Sequence, residues 1–331
     1  MTDAPQSALG QRRSWMPALA ALVLLILAGA GCADDESAAP GRRGSLPGTE
    51  IDSDSVAIVV VAPAAAEILE ALGRLDRVVG IADFGPWPAA IADLPSVGSY
   101  DNPNAERLLS LGAELVLTTV SQAAAPSHRR LQELGIEVVA LDTATYDGVF
   151  RTVERIGQLL DRRDEARAIV ARMQEELAGI ERQAAGLKTR RVLVVVGRDP
   201  LYVAGPGSHL DRLIAIAGGT NVAHDAISAY QRFSSEAVLE RMPEVIIDTS
   251  DNRPGALRGV EPGWWGQWPS LPAVADGAVY WVDPSRLVIP GIRLPEMARL
   301  MSRLIHPETF GEADARELSA IGSTAAPGPS G

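Results

Sequence analysis

The sequence predicts an α/β protein with two lobes, each built on a parallel sheet, joined by one long backbone helix. The first observation is an internal repeat, because the segment Tyr100–Thr119 recurs at Tyr230–Thr249 without a gap. The second is the alternation of short apolar strands with helices, which is typical of parallel βαβ packing. The third is a long helical stretch with one apolar stripe between the two copies. Proteins built in this way usually hold a ligand in the cleft between their lobes.

Each copy of the repeat predicts one helix followed by one strand. Asn104 and Ser234 are polar residues that can cap the helix. Glu106 and Glu236 fall in its first turn, where a carboxylate complements the helix dipole. The continuously apolar run that follows is typical of a strand buried on both faces. The two glutamates are therefore predicted at equivalent positions, one in each lobe.

The N-terminus is typical of an export signal. Two arginines precede an apolar stretch over residues 16–31, which runs directly into Cys32, the only cysteine of the chain. This stretch is shorter than the roughly 20 residues that span a bilayer, so a signal peptide is predicted over residues 1–31. Small residues before a cysteine resemble a bacterial lipobox with lipidation at Cys32, although Gly29 stands where that motif usually has leucine. A plain cleaved signal and an uncleaved anchor are the alternatives, and all three place the protein outside the cytoplasm.

Composition also sets the domain boundaries. Residues 32–54 lack periodicity and predict a flexible tether, and residues 309–331 predict a disordered tail. Between them we expect an N-terminal α/β lobe over residues 55–145, a helical connector over residues 146–187 and a C-terminal α/β lobe over residues 188–308. The chain is long enough for two domains of ordinary size.

The N-terminal lobe is predicted from strands that alternate with helices. Besides the repeat strand, buried-strand patterns occur at residues 56–61, 78–82 and 138–141. A helix over residues 64–72 stops at Gly73, and glycine is the usual residue beyond a helix end.

The connector is predicted to contain two consecutive helices. Apolar residues between 149 and 160 form the stripe of the first helix. The second is predicted to begin at Asp161, whose carboxylate can cap it, and to end near Ala185 before Gly186. About 25 helical residues span about 37 Å, the diameter of a small domain. We therefore expect this helix to join the lobes, with pairing to a coiled-coil partner as the alternative.

The C-terminal lobe is predicted to begin with a strand at residues 192–196. A helix over residues 209–217 follows an N-cap at Ser208. After the second repeat copy, a strand is predicted at residues 278–282 and a last helix at residues 293–305.

The placement of aromatic residues predicts a ligand site, because they make up only 5% of the chain. Phe84 and Trp87 follow one predicted strand and Tyr202 follows another, and such loops line the crevice of α/β folds. Tyr100 and Tyr230 fall on loops that enter the two repeat helices. These five residues are predicted to flank a large planar ligand from both lobes. The alternative is that some of them pack over their own lobe.

Two arginines in the last connection are further candidates. Arg286 and Arg293 flank a Pro-Gly turn, and the guanidinium fork suits a phosphate or carboxylate group of a ligand. A surface salt bridge is the alternative for each. Three tryptophans between residues 264 and 268 are expected to pack instead.

Other classes of function find little support. The four histidines show no metal-ligand spacing, so no metal site is expected, although His209 or one of the tyrosines could ligate haem iron. No phosphate loop, nucleophile elbow or paired-carboxylate motif is present, so no enzymatic activity is expected. The net charge of −12 argues against nucleic acid and against anionic lipid as partners.

Several short motifs occur in a fixed order on either side of the predicted long helix. They are Ala62-Pro63-(x)3-Glu67-Ile68-Leu69, Gly98-(x)4-Pro103-Asn104-Ala105-Glu106, Gly197–Gly205, Ala217–Val222 and Gly277–Tyr280. From about Val56 to His306, the chain resembles the substrate-binding proteins of bacterial ABC importers for cobalamin, ferric siderophores and haem. Gly197–Gly205 and Asp83–Pro88 resemble the cobalamin-type members most, although the usual Asp-Tyr-Cys-x-Tyr-Pro is here Asp-Phe-Gly-Pro-Trp-Pro.

This resemblance implies a role in transport. It implies that the protein captures cobalamin between its lobes as a monomer without a cofactor, and delivers it to ABC permease subunits served by a cytoplasmic ATPase. It also implies that Glu106 and Glu236 dock onto basic residues of the two permease subunits. A ferric siderophore or haem is the alternative ligand within the same architecture. An extracytoplasmic signalling lipoprotein without a transported ligand is the alternative from another class.

Overall fold

The computed structural model of the protein describes residue 52 and the ranges 55–123, 125–250 and 263–319. The predicted signal peptide, Cys32 and most of the predicted tether therefore lie outside the described residues. Within them the chain forms two α/β lobes and a long connecting helix, which confirms the predicted fold class.

The N-terminal lobe contains one parallel sheet. Its strands are β1 (Ile58–Val60), β2 (Val78–Ile81), β3 (Leu115–Thr119) and β4 (Glu137–Leu141), and its helices are α1 (Pro63–Ala71), α2 (Ala105–Ser110), α3 (Val120–Ala123) and α4 (Pro126–Glu133). The strand order is β2-β1-β3-β4, and all three pairings are parallel. Buried apolar side chains cover both faces of this sheet, which explains why its strands are continuously apolar.

The connector contains α5 (Tyr146–Leu159) and the long helix α6 (Arg163–Ala184). The hydroxyl of Thr145 caps α5 by accepting the N–H of Gly148. The predicted cap at Asp161 is wrong, because this residue has a left-handed backbone and its carboxylate pairs with Arg163 instead. Helix α6 has 22 residues and is about 33 Å long, slightly shorter than expected.

The C-terminal lobe contains a six-stranded sheet that is only partly parallel. Its strands are β5 (Arg190–Arg198), β6 (Leu201–Ala204), β7 (Gly219–Asn221), β8 (Tyr230–Arg232), β9 (Val245–Asp248) and β10 (Val279–Trp281), and its helices are α7 (His209–Ile216), α8 (Ser235–Arg241), α9 (Pro272–Ala275), α10 (Pro284–Leu287) and α11 (Leu294–Ile305). The strand order is β10-β9-β5-β6-β8, with β7 beside the first half of β5. Strands β6 and β8 are antiparallel additions that the expectation of a parallel sheet did not include.

The predicted start of the disordered tail at residue 309 is too early in the chain. Two short helices follow α11: α12 (Pro307–Phe310) extends into the segment assigned to the tail, and α13 (Ala315–Leu318) lies wholly within it. Asp314 and Glu317 form a capping box at α13, and Leu318 is fully buried. The backbone N–H of Asp283 donates to the carbonyl of Leu318 at 2.8 Å. These contacts hold the chain against the C-terminal lobe as far as Ser319.

The sequence repeat corresponds to a structural repeat. Helices α2 and α8 are capped by the side chains of Asn104 and Ser234, as predicted. The matching glutamates before β3 and β9, Glu114 and Glu244, each accept a backbone N–H from the start of the lobe's first strand at 2.9 Å. A glutamate at the same repeat position thus makes the same backbone hydrogen bond in each lobe.

One continuous set of buried apolar side chains runs through both lobes. Helix α6 packs against α5 on one side and against α7 and α11 of the C-terminal lobe on the other. Its buried stripe includes Ile169, Met173, Leu177 and Ile180, as the sequence predicted. The lobes therefore share a core rather than only a linker.

Candidate ligand-binding cleft

The lobes meet at segments that follow the carboxyl ends of strands. In the N-terminal lobe these are α1, which follows β1, and Ala144, which follows β4. In the C-terminal lobe they are α10 and Arg293, which follow β10, and the first residue of α7, His209. The loops beyond strand ends in both lobes are therefore beside the junction, where ligands bind in α/β folds.

A buried ion pair crosses the junction. Nε of Arg293 donates to Oε1 of Glu67 on α1 at 2.8 Å, and the two side chains are only 14% and 12% exposed. Arg293 also donates to the carbonyl of Ser285 at 3.2 Å. Burial raises the pKa of Glu67, and the positive charge of Arg293 opposes that rise. Arg293, which was predicted to bind the ligand, therefore forms an ion pair that holds the lobes together.

His209 is the second contact between the lobes. Its ring is fully buried, and Nε2–H donates to the carbonyl of Leu287 at 2.8 Å, since that carbonyl can only accept. The backbone N–H of His209 donates to the carbonyl of Ala144 at 3.3 Å. Burial lowers the pKa of His209 to about 4. With Nε2 engaged and the ring enclosed, the side chain is not placed to ligate haem iron.

The lowered pKa of His209 predicts a loss of stability in mild acid. The unfolded chain takes up a proton near the ordinary pKa of about 6.5, whereas the folded state resists it until about pH 4. The free energy of unfolding should therefore fall between pH 7 and pH 4, by up to about 3 kcal/mol from this residue. Urea unfolding at both pH values measures the loss.

The variant His209→Gln separates this histidine from other titrating groups. Glutamine can still donate to Leu287 but does not titrate, so its stability should change less with pH. The matched control is His224→Gln, which alters an exposed histidine. Identical pH profiles for the wild type and His209→Gln would contradict the assignment.

An apolar wall lies at the strand ends of the N-terminal lobe. Phe84, three residues beyond β2, is 50% exposed, and Val120, directly after β3, is 55% exposed. Trp87 and Tyr100 are half-buried and pack against the same group of apolar residues. Strands β2 and β3 both flank β1, so Phe84, Trp87 and Val120 follow the carboxyl ends of neighbouring strands, and Tyr100 packs on the same cluster as Trp87. We call them the N-lobe wall; Val120 was not predicted.

Trp87 and Tyr100 carry the polar side-chain atoms of the N-lobe wall. The indole nitrogen of Trp87 is buried, and it has no hydrogen-bond partner among the residues that the structure describes. Burial and the neighbouring Asp101 raise the pKa of Tyr100 to about 12, so its phenol stays protonated at neutral pH. The hydroxyl of Ser127 fixes the loop that carries Tyr100 by donating to the carbonyl of Asp101 at 2.8 Å.

The two predicted tyrosines of the C-terminal lobe differ in their placement. Tyr202, near the start of β6, is half-buried and packs against the shared core. Tyr230 is only 7% exposed and belongs to β8, so its predicted position in a loop is wrong. In the ladder, Tyr202 lies opposite Arg232 and Tyr230 lies opposite Ala204. Arg232, not Tyr230, therefore lies beside the turn that joins β5 to β6.

Arg286 is bound by the C-terminal segment of the chain. Its Nε donates to the carbonyl of Ser319 at 2.6 Å, and its Nη2 donates to the carbonyl of Arg316 at 2.8 Å. Arg286 was predicted to bind the ligand, but in the structure its guanidinium donates to backbone carbonyls of the C-terminal segment.

A charged network at the strand ends of the C-terminal lobe was not predicted as a site. Asp248, the last residue of β9, is fully buried and accepts hydrogen bonds from Trp265 Nε1 at 2.8 Å and from Ser250 N at 2.9 Å. Arg198, the last residue of β5, donates to Asp248 at 3.2 Å. Its guanidinium carbon lies 4.7 Å from the ring centroid of Trp281. The three tryptophans Trp264, Trp265 and Trp268 pack on one another here, as expected.

Glu106 and Glu236 occupy equivalent positions. Each is the second residue of its helix, α2 or α8, and each is exposed. Hydrogen bonds from its own backbone N–H and from the hydroxyl of Ser234 lower the pKa of Glu236, so it is ionised at neutral pH. The structure therefore presents one exposed carboxylate on each lobe.

Two features are absent from the described part of the chain. No group of His, Cys, Asp and Glu side chains there is arranged to hold a metal ion. Among the same residues, no helix combines the length and the apolar character needed to cross a membrane.

Two α/β lobes joined by one long helix, with their strand ends at the junction, define a two-lobed substrate-binding protein. The chain belongs to the periplasmic binding protein family, whose model matches residues 58–285.

Individual relatives agree with this assignment. An uncharacterised ABC transporter substrate-binding lipoprotein of Bacillus subtilis is 27% identical over 314 residues, covering 90% of this chain and 98% of its own. A cobalamin-binding protein of Halobacterium salinarum is 30% identical over 290 residues, covering 81% of this chain and 77% of its own.

Solved structures share the fold. The periplasmic vitamin B12 binding protein of Vibrio cholerae matches with a TM-score of 0.64 and 21% identity, covering 75% of this chain and 95% of its own. A periplasmic haem binding protein of the same organism matches with a TM-score of 0.65 and 21% identity, covering 76% of this chain and 99% of its own.

Proposed function

We propose that the protein is the extracytoplasmic substrate-binding component of an ABC importer and that its ligand is a corrinoid such as cobalamin. The observation that carries this proposal is the N-lobe wall. Phe84 and Val120 are each about half exposed beyond the carboxyl ends of strands in the N-terminal lobe. Binding of a large flat ligand removes such apolar surface from water, which lowers the free energy of the complex. The relatives named for cobalamin binding support the choice of ligand.

Haem is the second candidate ligand. It is favoured by Tyr100, whose phenol lies in the N-lobe wall and is of a type that ligates haem iron. The raised pKa of this phenol opposes formation of the phenolate that such a bond requires. A corrinoid brings its own metal ligands and needs no such bond, which is why we place it first. A ferric siderophore is the remaining alternative within the same architecture.

The proposed function includes delivery at a membrane. Glu106 and Glu236 are exposed and, in this proposal, contact basic residues of the two permease subunits. Lipidation of Cys32 would hold the protein at the membrane surface, and the acidic residues that follow it would keep the tether hydrated. A permease and its ATPase are the partners that this role requires.

Titration of the purified protein with cobalamin, haem and a ferric siderophore tests the proposal. Binding of cobalamin should quench tryptophan fluorescence. Trp87→Ala should weaken that binding by about 1–3 kcal/mol, or roughly 5- to 150-fold, because buried aromatic contact is lost. The matched control is Trp268→Phe, which alters a tryptophan of the C-terminal cluster outside the wall.

The outcomes separate the ligand from the site. Tighter binding of haem or siderophore than of cobalamin would replace the corrinoid as the ligand. Cobalamin binding that is unchanged in both Trp87→Ala and Phe84→Ala would reject the N-lobe wall as the site.

A further inference from the structure

Residues 283–293, which connect β10 to α11, contribute to both polar contacts described at the lobe junction. We call them the junction segment. Arg293, its last residue, forms the ion pair with Glu67 of the N-terminal lobe. Leu287 accepts the ring N–H of His209, whose backbone bonds to the same lobe. The position of the junction segment therefore affects how the lobes meet.

The junction segment also touches helix α1 of the N-terminal lobe through its backbone. Gly291 lies so close to α1 that a Cβ at this position would be 3.3 Å from Oε2 of Glu67 and 3.5 Å from Cβ of Ala64. Packed protein interiors transmit displacement because they contain little free space. A shift of the junction segment is therefore passed directly to the N-terminal lobe.

The C-terminal segment, residues 314–319, holds the other end of the junction segment. The backbone N–H of Asp283 donates to the carbonyl of Leu318 at 2.8 Å. The guanidinium of Arg286 donates to two further carbonyls of the C-terminal segment at 2.6 and 2.8 Å. The last carbonyls of a helix have no partner within it, so those near the end of α13 are suited to accept these bonds. Leu318 anchors the C-terminal segment in the shared core, where it is fully buried.

Hydrogen bonds inside the junction segment link its two ends. The carboxylate of Asp283 accepts the backbone N–H of Ser285 at 2.9 Å and its hydroxyl at 2.6 Å. The carbonyl of Ser285 accepts from Arg293 at 3.2 Å. Arg293 in turn donates to Glu67 at 2.8 Å. A continuous series of contacts thus runs from the C-terminal segment to the N-terminal lobe.

The two arginines of the junction segment also influence each other through their charges. Burial lowers the pKa of Arg286, and the positive charge of Arg293 lowers it further. Arg286 has its acceptors in the C-terminal segment, whereas Arg293 has Glu67 and the carbonyl of Ser285. Loss of the C-terminal carbonyls would leave Arg286 with fewer acceptors close to a like charge.

We propose that the C-terminal segment, acting through Arg286 and the junction segment, positions the two lobes and thereby sets the affinity of the cleft for its ligand. The family model ends at residue 285, so Arg286 and the C-terminal segment lie beyond the matched residues. If the binding-competent arrangement of the lobes is less populated, the apparent affinity falls by the same factor. The effect on affinity rests on the proposed function, whereas the effect on lobe geometry does not. The competing role is local, with the C-terminal segment stabilising only its own lobe.

The first test measures the distance between the lobes without ligand. Spin labels are attached at Gln132→Cys on α4 and Ala275→Cys on α9, two exposed positions, in the Cys32→Ser background. Arg286→Gln removes donors to the C-terminal segment, and Leu318→Ala loosens its buried anchor. Each variant should shift or broaden the distance distribution relative to the wild type. Leu318→Ala keeps the proposal testable if Arg286→Gln does not fold.

The matched control is Arg241→Gln. Like Arg286, Arg241 donates to a backbone carbonyl of the C-terminal lobe, that of Val222, and it also pairs with Asp225. These partners lie outside the junction segment. The control should therefore keep the label distances and the ligand affinity of the wild type.

The second test is titration of the same variants, without labels, with cobalamin. Arg286→Gln and Leu318→Ala should each weaken binding by about 2- to 30-fold, the range for mutations that act through a packed network. Unchanged distances in both variants would overturn the positioning role, as would unchanged affinity in a variant whose distances have changed. Equal effects in Arg241→Gln would overturn it as well. Failure of the wild type to bind cobalamin, haem or a ferric siderophore would instead overturn the proposed function and the expected effect on affinity, while the distances would still decide the effect on lobe geometry.

Discussion

Replacing Arg293 by leucine should lower the free energy of unfolding by about 3–5 kcal/mol. The change leaves Glu67 buried at the lobe junction without its partner, and an uncompensated buried charge is among the costliest single defects in a protein. The second oxygen of this carboxylate is already buried without a hydrogen-bond partner among the described residues. Urea unfolding at pH 7 measures the change.

A surface ion pair provides the control for this prediction. Arg299 pairs with Glu176 on the long helix, and both side chains are substantially exposed. Arg299→Leu should cost less than about 1 kcal/mol, since exposed ion pairs contribute little. The double variant Glu67→Gln/Arg293→Leu should recover much of the loss, because no buried charge remains. Similar losses from Arg293→Leu and Arg299→Leu would show that the junction pair has no special role.

Removal of both exposed glutamates should abolish transport while leaving ligand binding intact. In Glu106→Ala/Glu236→Ala, each lobe loses the carboxylate at the second position of its repeat helix. The contribution of such a carboxylate to the helix dipole is only about 0.3–1 kcal/mol. The melting temperature and the ligand affinity should therefore stay near those of the wild type. Ligand uptake in vesicles reconstituted with the cognate permease and ATPase measures the loss.

Two other exposed glutamates serve as the matched control. Glu154 and Glu165 lie on the connector helices, away from the two repeat helices. Their double alanine variant changes the net charge by the same amount and should transport normally. Full uptake by Glu106→Ala/Glu236→Ala would leave only a stabilising role for the pair. Each single variant should retain partial uptake, because one lobe would still dock.

Local patterns in the sequence were sufficient to predict the architecture. The caps at Asn104 and Ser234, the apolar stripe of α6 and the repeat strands each depend on residues a few positions apart. Such signals survive in a single sequence because they reflect helix and strand geometry. The cap at Asp161 failed because the chain turns through a left-handed residue there. Nothing in the flanking sequence distinguished that turn from a capped start.

The candidate site was harder to predict because it depends on distant pairings. Glu67 and Arg293 are 226 residues apart in the chain, so no local pattern connects them. Tyr230 was predicted in a loop by analogy with Tyr100. In the structure it belongs to β8, which pairs with β6 and has no counterpart in the other lobe. Arg198 was part of a recognised motif, yet its contacts with Asp248 and Trp281 arise only because the sheet brings their strands together. The exposure of Val120 could have been anticipated, since it directly follows a predicted strand.

The shared core has a consequence for how the two lobes respond to heat and to ligand. Buried residues from β1 through α11 form one set, and the long helix contributes its stripe to both halves. Loss of packing in one half exposes apolar surface of the other, so we expect the unfolding of the two halves to be coupled. A molecule held at the junction therefore protects the entire chain by mass action, including regions far from the contact. An empty cleft and an occupied one differ in the resistance of the whole protein to unfolding.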